Sequence, residues 1–401
     1  MELKKDTLIW RVPNLTLDLR QNRLKVKLGA KNYFVSPYCL AILDVFASPK
    51  TFEQGVKELA GRIKGIPGWM EATSHIIDLH KLGVLESSSS SMTELRSEPG
   101  RFDSAEVHIR MLNDTRRTGS YMAAIAETVK PGDVVLDIGT GTGVLAMMAA
   151  WSGARKVYAV EREPNMANLA ENLFEKNRLH DRIQIIRGKS TEIELPEKAD
   201  VLVSEIVGND PLAEGIIPAN NDALQRLLKP EARMIPGRLK IYALPLCVPK
   251  SFLDKYLFSE TQVKKWLDAY DIDFSHLTEV SRKQWFHALV GTHKARYWKR
   301  LSDPVLVADI DLGREHADFI ESKNRFEVMQ SGMMNGVLLF FELSLSPSVA
   351  FSIHPDQATP SNSWASRLCI PGSPVFMEKG AQAQLLYSYS ENDRSNVTVK
   401  V

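Results

Sequence analysis

The stretch Val134-Val-Leu-Asp-Ile-Gly-Thr-Gly-Thr-Gly-Val-Leu-Ala146 decides how this chain folds. It begins as an apolar run rich in β-branched residues and reads as a buried strand. Three glycines at alternate positions, Gly139, Gly141 and Gly143, then break the run, and a helical pattern from Leu145 to Trp151 follows. Strand, glycine turn and helix in that order open the ligand crevice of a doubly wound α/β domain. A residue without a Cβ lets the backbone turn tightly and a ligand come close. Dinucleotide binders space their glycines G-x-G-x-x-G and seat a pyrophosphate on the helix N-terminus. Here the spacing is G-x-G-x-G, with acidic Asp137 ahead of the first glycine. That pattern suits an uncharged adenosine flanked by an amino-acid tail. The plainer alternative is a glycine turn in an unrelated α/β fold.

The pattern resembles the cofactor motif of S-adenosylmethionine-dependent methyltransferases. A second apolar run, Arg155-Lys-Val-Tyr-Ala-Val-Glu161, ends in a carboxylate. Glu161 follows Gly139 at about the distance at which a doubly wound fold places its ribose-binding acid, and two carboxylate oxygens can accept from both ribose hydroxyls. The alternative for Glu161 is a solvated strand end.

Composition narrows the class. A chain of 401 residues exceeds one ordinary core, so two or three domains are expected. Lys and Arg number 50 against 49 Asp and Glu, a balance that gives no electrostatic case for nucleic acid or an anionic membrane. The 44% hydrophobic content is that of a soluble globular protein. No run reaches transmembrane length and Met1-Glu-Leu-Lys-Lys lacks a signal-peptide core. Cys39, Cys247 and Cys369 are widely separated and form no C-x-x-C pair, so neither a disulfide framework nor a metal site is indicated and a cytoplasmic location is expected.

Residues 1–86 form a first unit. Leu15-Thr-Leu-Asp-Leu and Leu24-Lys-Val-Lys-Leu alternate as paired strands do. Helical patterns follow over 37–47, 51–63 and 69–82, with Thr51-x-x-Gln54 a candidate capping box, and Gly83-Val-Leu85 closes the unit as a wing. The unit resembles a winged helix, and more narrowly the PqqD-like peptide-recognition domains; a winged helix used only for packing or dimerisation is the alternative. Residues 87–100, with serines at every position from Ser87 to Ser91, read as a linker. Residues 101–235 carry alternating β and α signals, with strands centred on Leu136, Tyr158, Ile185 and Val203. From 236 to 401 strand-like runs dominate, interrupted by a helical segment from Phe252 to Tyr270.

The strand Ala199-Asp-Val-Leu-Val-Ser-Glu205 leads into Ile-Val-Gly-Asn-Asp-Pro-Leu-Ala-Glu214, where two glutamates bracket a Gly208/Pro211 turn. A hairpin-like loop of that length can bring both carboxylates together at the carboxyl end of the sheet, the side of the glycine loop. Close carboxylates repel unless a cation lies between them, and a planar guanidinium matches two of them best. Two solvated loop glutamates are the alternative.

Glu205 and Glu214 resemble the double-E loop of the protein arginine methyltransferases. The resemblance covers roughly residues 101–401 and extends to His108-Ile-Arg-Met-Leu-x-Asp114-x-x-Arg117-x-x-x-Tyr121, Gly188-Lys-Ser-Thr-Glu-Ile-Glu-Leu-Pro196 and Met234-Ile-Pro-Gly. It implies an α/β fold: a Rossmann-like S-adenosylmethionine-dependent methyltransferase domain, a C-terminal β-barrel and, over about 250–285, a dimerisation arm. It also implies roles. Arg117 pairs with the methionine carboxylate; Asp137, Gly139, Gly141 and Gly143 line the methionine and sugar; Glu161 holds the ribose. Glu205 and Glu214 clamp the substrate guanidinium, and Met111 shapes the space near its nitrogen. His108 either packs against the cofactor or is a core histidine. The loop wording around Gly208, Gly215 and Pro218 resembles the monomethylating branch.

The sequence departs from the family at three places. The Y-F-x-x-Y motif falls at Arg101-Phe-Asp-Ser-Ala105, keeping only Phe102. The Thr-His-Trp loop appears as Asn362-Ser363-Trp364. The acid expected beside the adenine falls at Thr191, next to Glu192. Two of these touch the substrate pocket, so methyl transfer is expected with arginine held differently. The acceptor is arginine in a peptide or protein presented by the first domain, or free L-arginine in a small-molecule pathway, with Arg101 either pairing with its carboxylate or solvated. A catalytically inactive peptide-binding module is a third reading, against which the intact Glu205, Glu214 and Arg117 argue. A homodimer is expected.

Overall fold

The computed structural model describes residues 8–12, 15–20, 23–28, 31–35, 38–63, 65–87, 104–390 and 394–400. The linker expected at 87–100 and the departures at Arg101 and Phe102 lie almost wholly outside them. The chain divides into two compact units, Met1–Thr93 and Glu94–Val401.

In the first unit, Leu15–Arg20 pairs with Arg23–Leu28, which pairs with Lys31–Val35, all antiparallel. Helices follow over Tyr38–Val45, Phe52–Ala60 and Gly65–Lys81. The capping box is present in full: Gln54 N–H donates to Thr51 Oγ1 at 3.2 Å and Thr51 N–H donates to Gln54 Oε1 at 3.0 Å. Each bond satisfies a backbone donor that the start of a helix leaves without a partner. The closing strand Leu85–Ser87 is not alone; it pairs with Leu8–Arg11, which also pairs with Lys50–Thr51. Leu8–Arg11 has only four residues, too short to show a period. Ile9, Leu24, Val26, Ile42, Phe46, Leu59 and Leu79 share this unit's core.

The second unit opens with a parallel five-stranded sheet. Its strands lie in the order Leu228–Ile235, Ala199–Ser204, Val134–Ile138, Lys156–Glu161, Ile183–Arg187. The order turns at Val134–Ile138, the first strand of this sheet in the sequence, whose two neighbours, Lys156–Glu161 and Ala199–Ser204, both follow it and lie on opposite sides. A crevice forms at such a switch point, beyond the carboxyl ends of the strands. Alternation along the strands sends Val135, Val157, Ala159, Val201 and Val203 into one cluster and Val134, Leu136, Tyr158, Val160 and Leu202 into another. Both faces are therefore covered, as a parallel sheet requires.

After Ile235 all pairing is antiparallel. Arg238–Cys247 is the spine, paired along its length with Gly336–Ser344 and with Val305–Asp311. Ser366–Pro371 and Trp285–Val290 extend that sheet, while Ile320–Glu327, Gln382–Ser390 and Arg394–Lys400 form another. One apolar cluster runs from Tyr121, Val135 and Val201 through Ile241, Phe341 and Leu385, so the parallel and antiparallel parts share a core. The single helix expected from Phe252 to Tyr270 is instead broken into Lys250–Leu253 and Glu260–Tyr270, with Ser275–Arg282 beyond. Ser259 causes the break. Its hydroxyl donates to Asp254 Oδ1 at 2.7 Å and accepts from Gln262 N–H at 3.4 Å, starting a new helix.

Candidate active site

The glycine loop leaves the switch-point strand with Gly139 at φ 74°, Gly141 at 55° and Gly143 at 78°. These are left-handed conformations that L side chains rarely adopt. Space excludes a side chain too: a Cβ on Gly143 would lie 2.3 Å from Phe174, in the helix Pro164–Lys176. A Cβ on Gly141 would lie 3.2 Å from the ring of His108, a residue only 8% exposed. His108 thus packs against the loop itself.

Two carboxylates shape the loop. Asp137, 1% exposed, accepts from Thr140 Oγ1 at 2.5 Å. Burial, reinforced by the charge of Glu161, pushes its carboxyl up to about 7. Glu161 stands at the end of the neighbouring strand, where Oε2 accepts from Gly141 N–H at 2.8 Å and Oε1 from Glu163 N–H at 2.9 Å. Each oxygen retains a second lone pair. Thr191 lies on the short turn Ser190–Glu192 and is half-buried, while Glu192 is exposed.

Arg117 enters from the helix Thr115–Thr128 and reaches Glu205. Its Nη2 contacts Glu205 Oε2, its Nη1 donates to Met111 O at 3.2 Å, and its guanidinium carbon lies 5.2 Å above the Trp364 ring. Its Nε is buried without a partner. Met111 thus meets the site through its carbonyl. Asp114 caps the helix: Oδ1 accepts from Arg117 N–H at 3.1 Å. Its other oxygen accepts from Ser363 N–H at 2.8 Å and Ser363 Oγ at 3.2 Å. The serine that stands in place of the family's histidine is therefore committed to Asp114.

Glu205 ends the strand Ala199–Ser204, with its side chain 7% exposed. Loss of hydration raises its pKa, and the charge of Arg117 opposes the rise. Glu214 retains surface open to water while protein surrounds it on most sides, as in a residue lining a concavity. Burial and the neighbouring charge of Glu205 push it up to about 8, against the opposing charges of Arg117 and Arg162. Its side chain folds over Gly208, where a Cβ would lie 3.1 Å from Glu214 Oε1. The glutamates are thus electrostatic neighbours at the end of the sheet that carries the glycine loop.

The antiparallel part holds this loop from outside. Trp364 Nε1 donates to Val207 O at 2.6 Å, Ala365 N–H to Asn209 Oδ1 at 2.7 Å, and Tyr389 Oη to Leu212 O at 2.8 Å. Trp364 packs on Phe341 and Phe351. The local sequence singles out Trp364 but not Asn209, Asp210 or Tyr389, whose partners are more than a hundred residues away.

Two segments of the chain match known protein families. Residues 116–237 match the family described as ribosomal protein L11 methyltransferase (PrmA), and residues 250–393 match the arginine methyltransferase oligomerization subdomain. The chain is 31% identical over 284 residues to the histone-arginine methyltransferase CARMER of Drosophila yakuba, covering 67% of this chain and 51% of that protein. It therefore spans about half the length of the Drosophila relatives it matches. It is 29% identical over 291 residues to an arginine N(omega)-methyltransferase of Streptomyces achromogenes subsp. streptozoticus, covering 71% and 76% respectively. Two solved structures share the fold. The Trypanosoma brucei PRMT1 enzyme–prozyme complex aligns with a TM-score of 0.62 and 24% identity over 71% of this chain and 88% of that one. Arabidopsis thaliana protein arginine methyltransferase 10 aligns with a TM-score of 0.57 and 22% identity over 73% and 96%. The fold is that of a Rossmann-like methyltransferase with a C-terminal β-barrel, and the matches support the protein arginine methyltransferase family.

Proposed function

We propose that this chain is an S-adenosylmethionine-dependent arginine N-methyltransferase that adds one methyl group to a guanidino nitrogen of arginine in a peptide or protein. The observation that carries this reading is the pairing of Glu205 and Glu214 on one loop, at the switch point where the glycine loop and Glu161 also lie.

The residues fit the cofactor. Positive-φ glycines leave a surface free of side chains, Glu161 keeps lone pairs for ribose hydroxyls, and the buried unpartnered Nε of Arg117 is a donor for a carboxylate. Asp137 braces the loop through Thr140, and half-buried Thr191 is assigned to the adenine side by the family resemblance alone. S-adenosylmethionine supplies a methyl group already activated on a sulfonium sulfur. The chain's own residues do the rest by alignment and electrostatics. A guanidinium keeps its proton at any ordinary pH, with a pKa of about 12 or above. Glu205 and Glu214, gripping one face of it, draw positive charge toward the nitrogens they touch and leave the remaining terminal nitrogen more nucleophilic. That nitrogen gains a methyl and sheds one proton, for which Glu214, its carboxyl pushed up to about 8, is the acceptor.

For the first unit we propose a PqqD-like winged-helix module that presents a peptide. Support comes from its three helices, its small antiparallel sheets and a groove of about 730 Å³ lined by Arg11, Leu17, Leu40, Asp44 and Arg62. A homodimer joined through residues 250–285 is supported by the match to the oligomerization subdomain and by exposed Phe258, Leu267, Tyr270 and Ile272. Cys247 and Cys369 form no disulfide, which suits a reducing cytoplasm. No described helix is long and apolar enough to cross a membrane.

A second reading, methylation of free L-arginine, is favoured by the Streptomyces relative, an arginine N(omega)-methyltransferase whose name specifies no protein acceptor, and by Ser363 being tied to Asp114. Mass spectrometry of protein incubated with S-adenosylmethionine and either free arginine or an arginine-rich peptide separates the two. Peptide methylation that weakens when residues 1–93 are deleted supports the first; methylation of free arginine alone, indifferent to the deletion, supports the second. Neither product would refute both.

A further inference from the structure

The loop between Glu205 and Glu214 has little internal support. Ala213 N–H donates to Asp210 O at 2.9 Å, but the Gly208 N–H to Pro211 O contact is long at 3.4 Å. Trp364 and Ala365 hold its first half, at Val207 and Asn209, and the C-terminal hairpin holds its second half, residues 210–213. Asp210 is a carboxylate 7% exposed, which burial would penalise without partners. Ser395 supplies two: its Oγ donates to Oδ1 at 2.5 Å and its N–H to Oδ2 at 3.0 Å. Arg367 adds a charge at 3.4 Å from Oδ2, and Tyr387 Oη lies 3.1 Å from Ser395 Oγ. On the same hairpin, Tyr389 donates to Leu212 O at 2.8 Å and Arg394 Nη1 to Ala213 O at 2.7 Å. Glu214 is the next residue. Among the described residues the strand Arg394–Lys400 pairs only with Gln382–Ser390; Val397 joins the core and Val399 packs against it, while the residues on its other face are mostly exposed. It also adds this set of polar contacts, and Ser395 itself is fully buried among them.

We infer that the C-terminal hairpin sets the shape of the glutamate loop, with Asp210 and Ser395 as positioning residues for Glu214. This rests on the reading of Glu214 as half of a guanidinium clamp. Asp210 lies inside the glutamate loop without being one of its two glutamates, and Ser395 lies far from that loop in the sequence. Residues 210, 212 and 213 are anchored while Gly208 leaves room for the Glu214 carboxylate, so the anchor fixes where that carboxylate points. The raised affinity of Glu214 for its proton is consistent with this: the loop must hold it near Glu205, with Arg117 and Arg162 the only opposing charges that act on it among the described residues.

The test uses the full chain carrying Ser395→Ala, with Ser395→Thr as the conservative rescue and Asp210→Asn as a second disruption. Amide hydrogen exchange over residues 206–213 is read first, since it needs no substrate. Losing a hydrogen bond to a buried charge should speed that exchange by about tenfold or more. Turnover of arginine or arginine peptide should fall by about tenfold, while the Kd for S-adenosylhomocysteine and the KM for S-adenosylmethionine stay unchanged; Ser395→Thr should restore both exchange and kcat. Unchanged loop exchange in Ser395→Ala and Asp210→Asn would overturn the inference, as would a kcat loss matched by an equal loss of cofactor affinity. A wild-type protein that methylates no arginine would instead defeat the functional reading, and the exchange result would then decide the loop anchor alone.

Discussion

Glu214 combines a surface open to water with a carboxyl pushed up to about 8 by burial and by Glu205. A carboxyl whose pKa is raised stays protonated, and uncharged, below that value. It can oppose a guanidinium only once it has lost the proton. The profile of kcat/KM for the arginine substrate should therefore rise as pH increases from 6 and level off above about 8. In the complex, the substrate's own positive charge favours the carboxylate, so the limb seen in kcat should lie at lower pH. A kcat/KM flat between about pH 6 and 9 would show that Glu214 is not the group being discharged. Asp137 obeys the same sign for a different reason. It is sealed from water and titrates near 7, so its contribution to stability is fully present below the ordinary carboxylate range and fades as pH rises through neutrality.

At the scale of elements, the glycine loop and the helix Val144–Trp151 form one device. Gly143 is the point where that device meets the helix Pro164–Lys176, through Phe174. Gly143→Ala would force an L residue into a left-handed conformation and a methyl into an aromatic ring, each costing on the order of 1–2 kcal/mol. The melting temperature should fall by several degrees and S-adenosylhomocysteine binding should weaken; a variant as stable as wild type would contradict the packing described. This element was legible because its information is local: three glycines, a strand before them and a helix after them. The capping box at Thr51 was legible for the same reason. The break at Ser259 was not, since the 252–270 pattern stays amphipathic across it and only the contact with Asp254 reveals the cap. The strand Leu8–Arg11 leaves no sequence signal because four residues carry no measurable period. Asp114 sits inside the motif over residues 108–121, yet its partner Ser363 is 249 residues away; Asp210 and Ser395 are 185 apart. Such pairs leave no spacing to read.

At the scale of the whole molecule, the second unit builds its candidate site from both of its parts. The parallel sheet supplies the glycine loop, Glu161 and Glu205, whereas the antiparallel sheets supply Trp364 and the anchors of the loop that ends in Glu214. Arg117 stands between the two, touching Glu205 on one side and lying over Trp364 on the other. A shared apolar core explains how such a site can stay rigid without a disulfide. The central claim, that Glu205 and Glu214 form a clamp for a guanidinium, is tested most directly by Glu205→Gln, which keeps the shape and removes the charge. Methyl transfer to arginine should drop by roughly a hundredfold or more, the loss typical when one preorganised electrostatic partner is removed, while S-adenosylhomocysteine still binds within about tenfold of wild type. Turnover close to wild type in that variant would contradict the clamp.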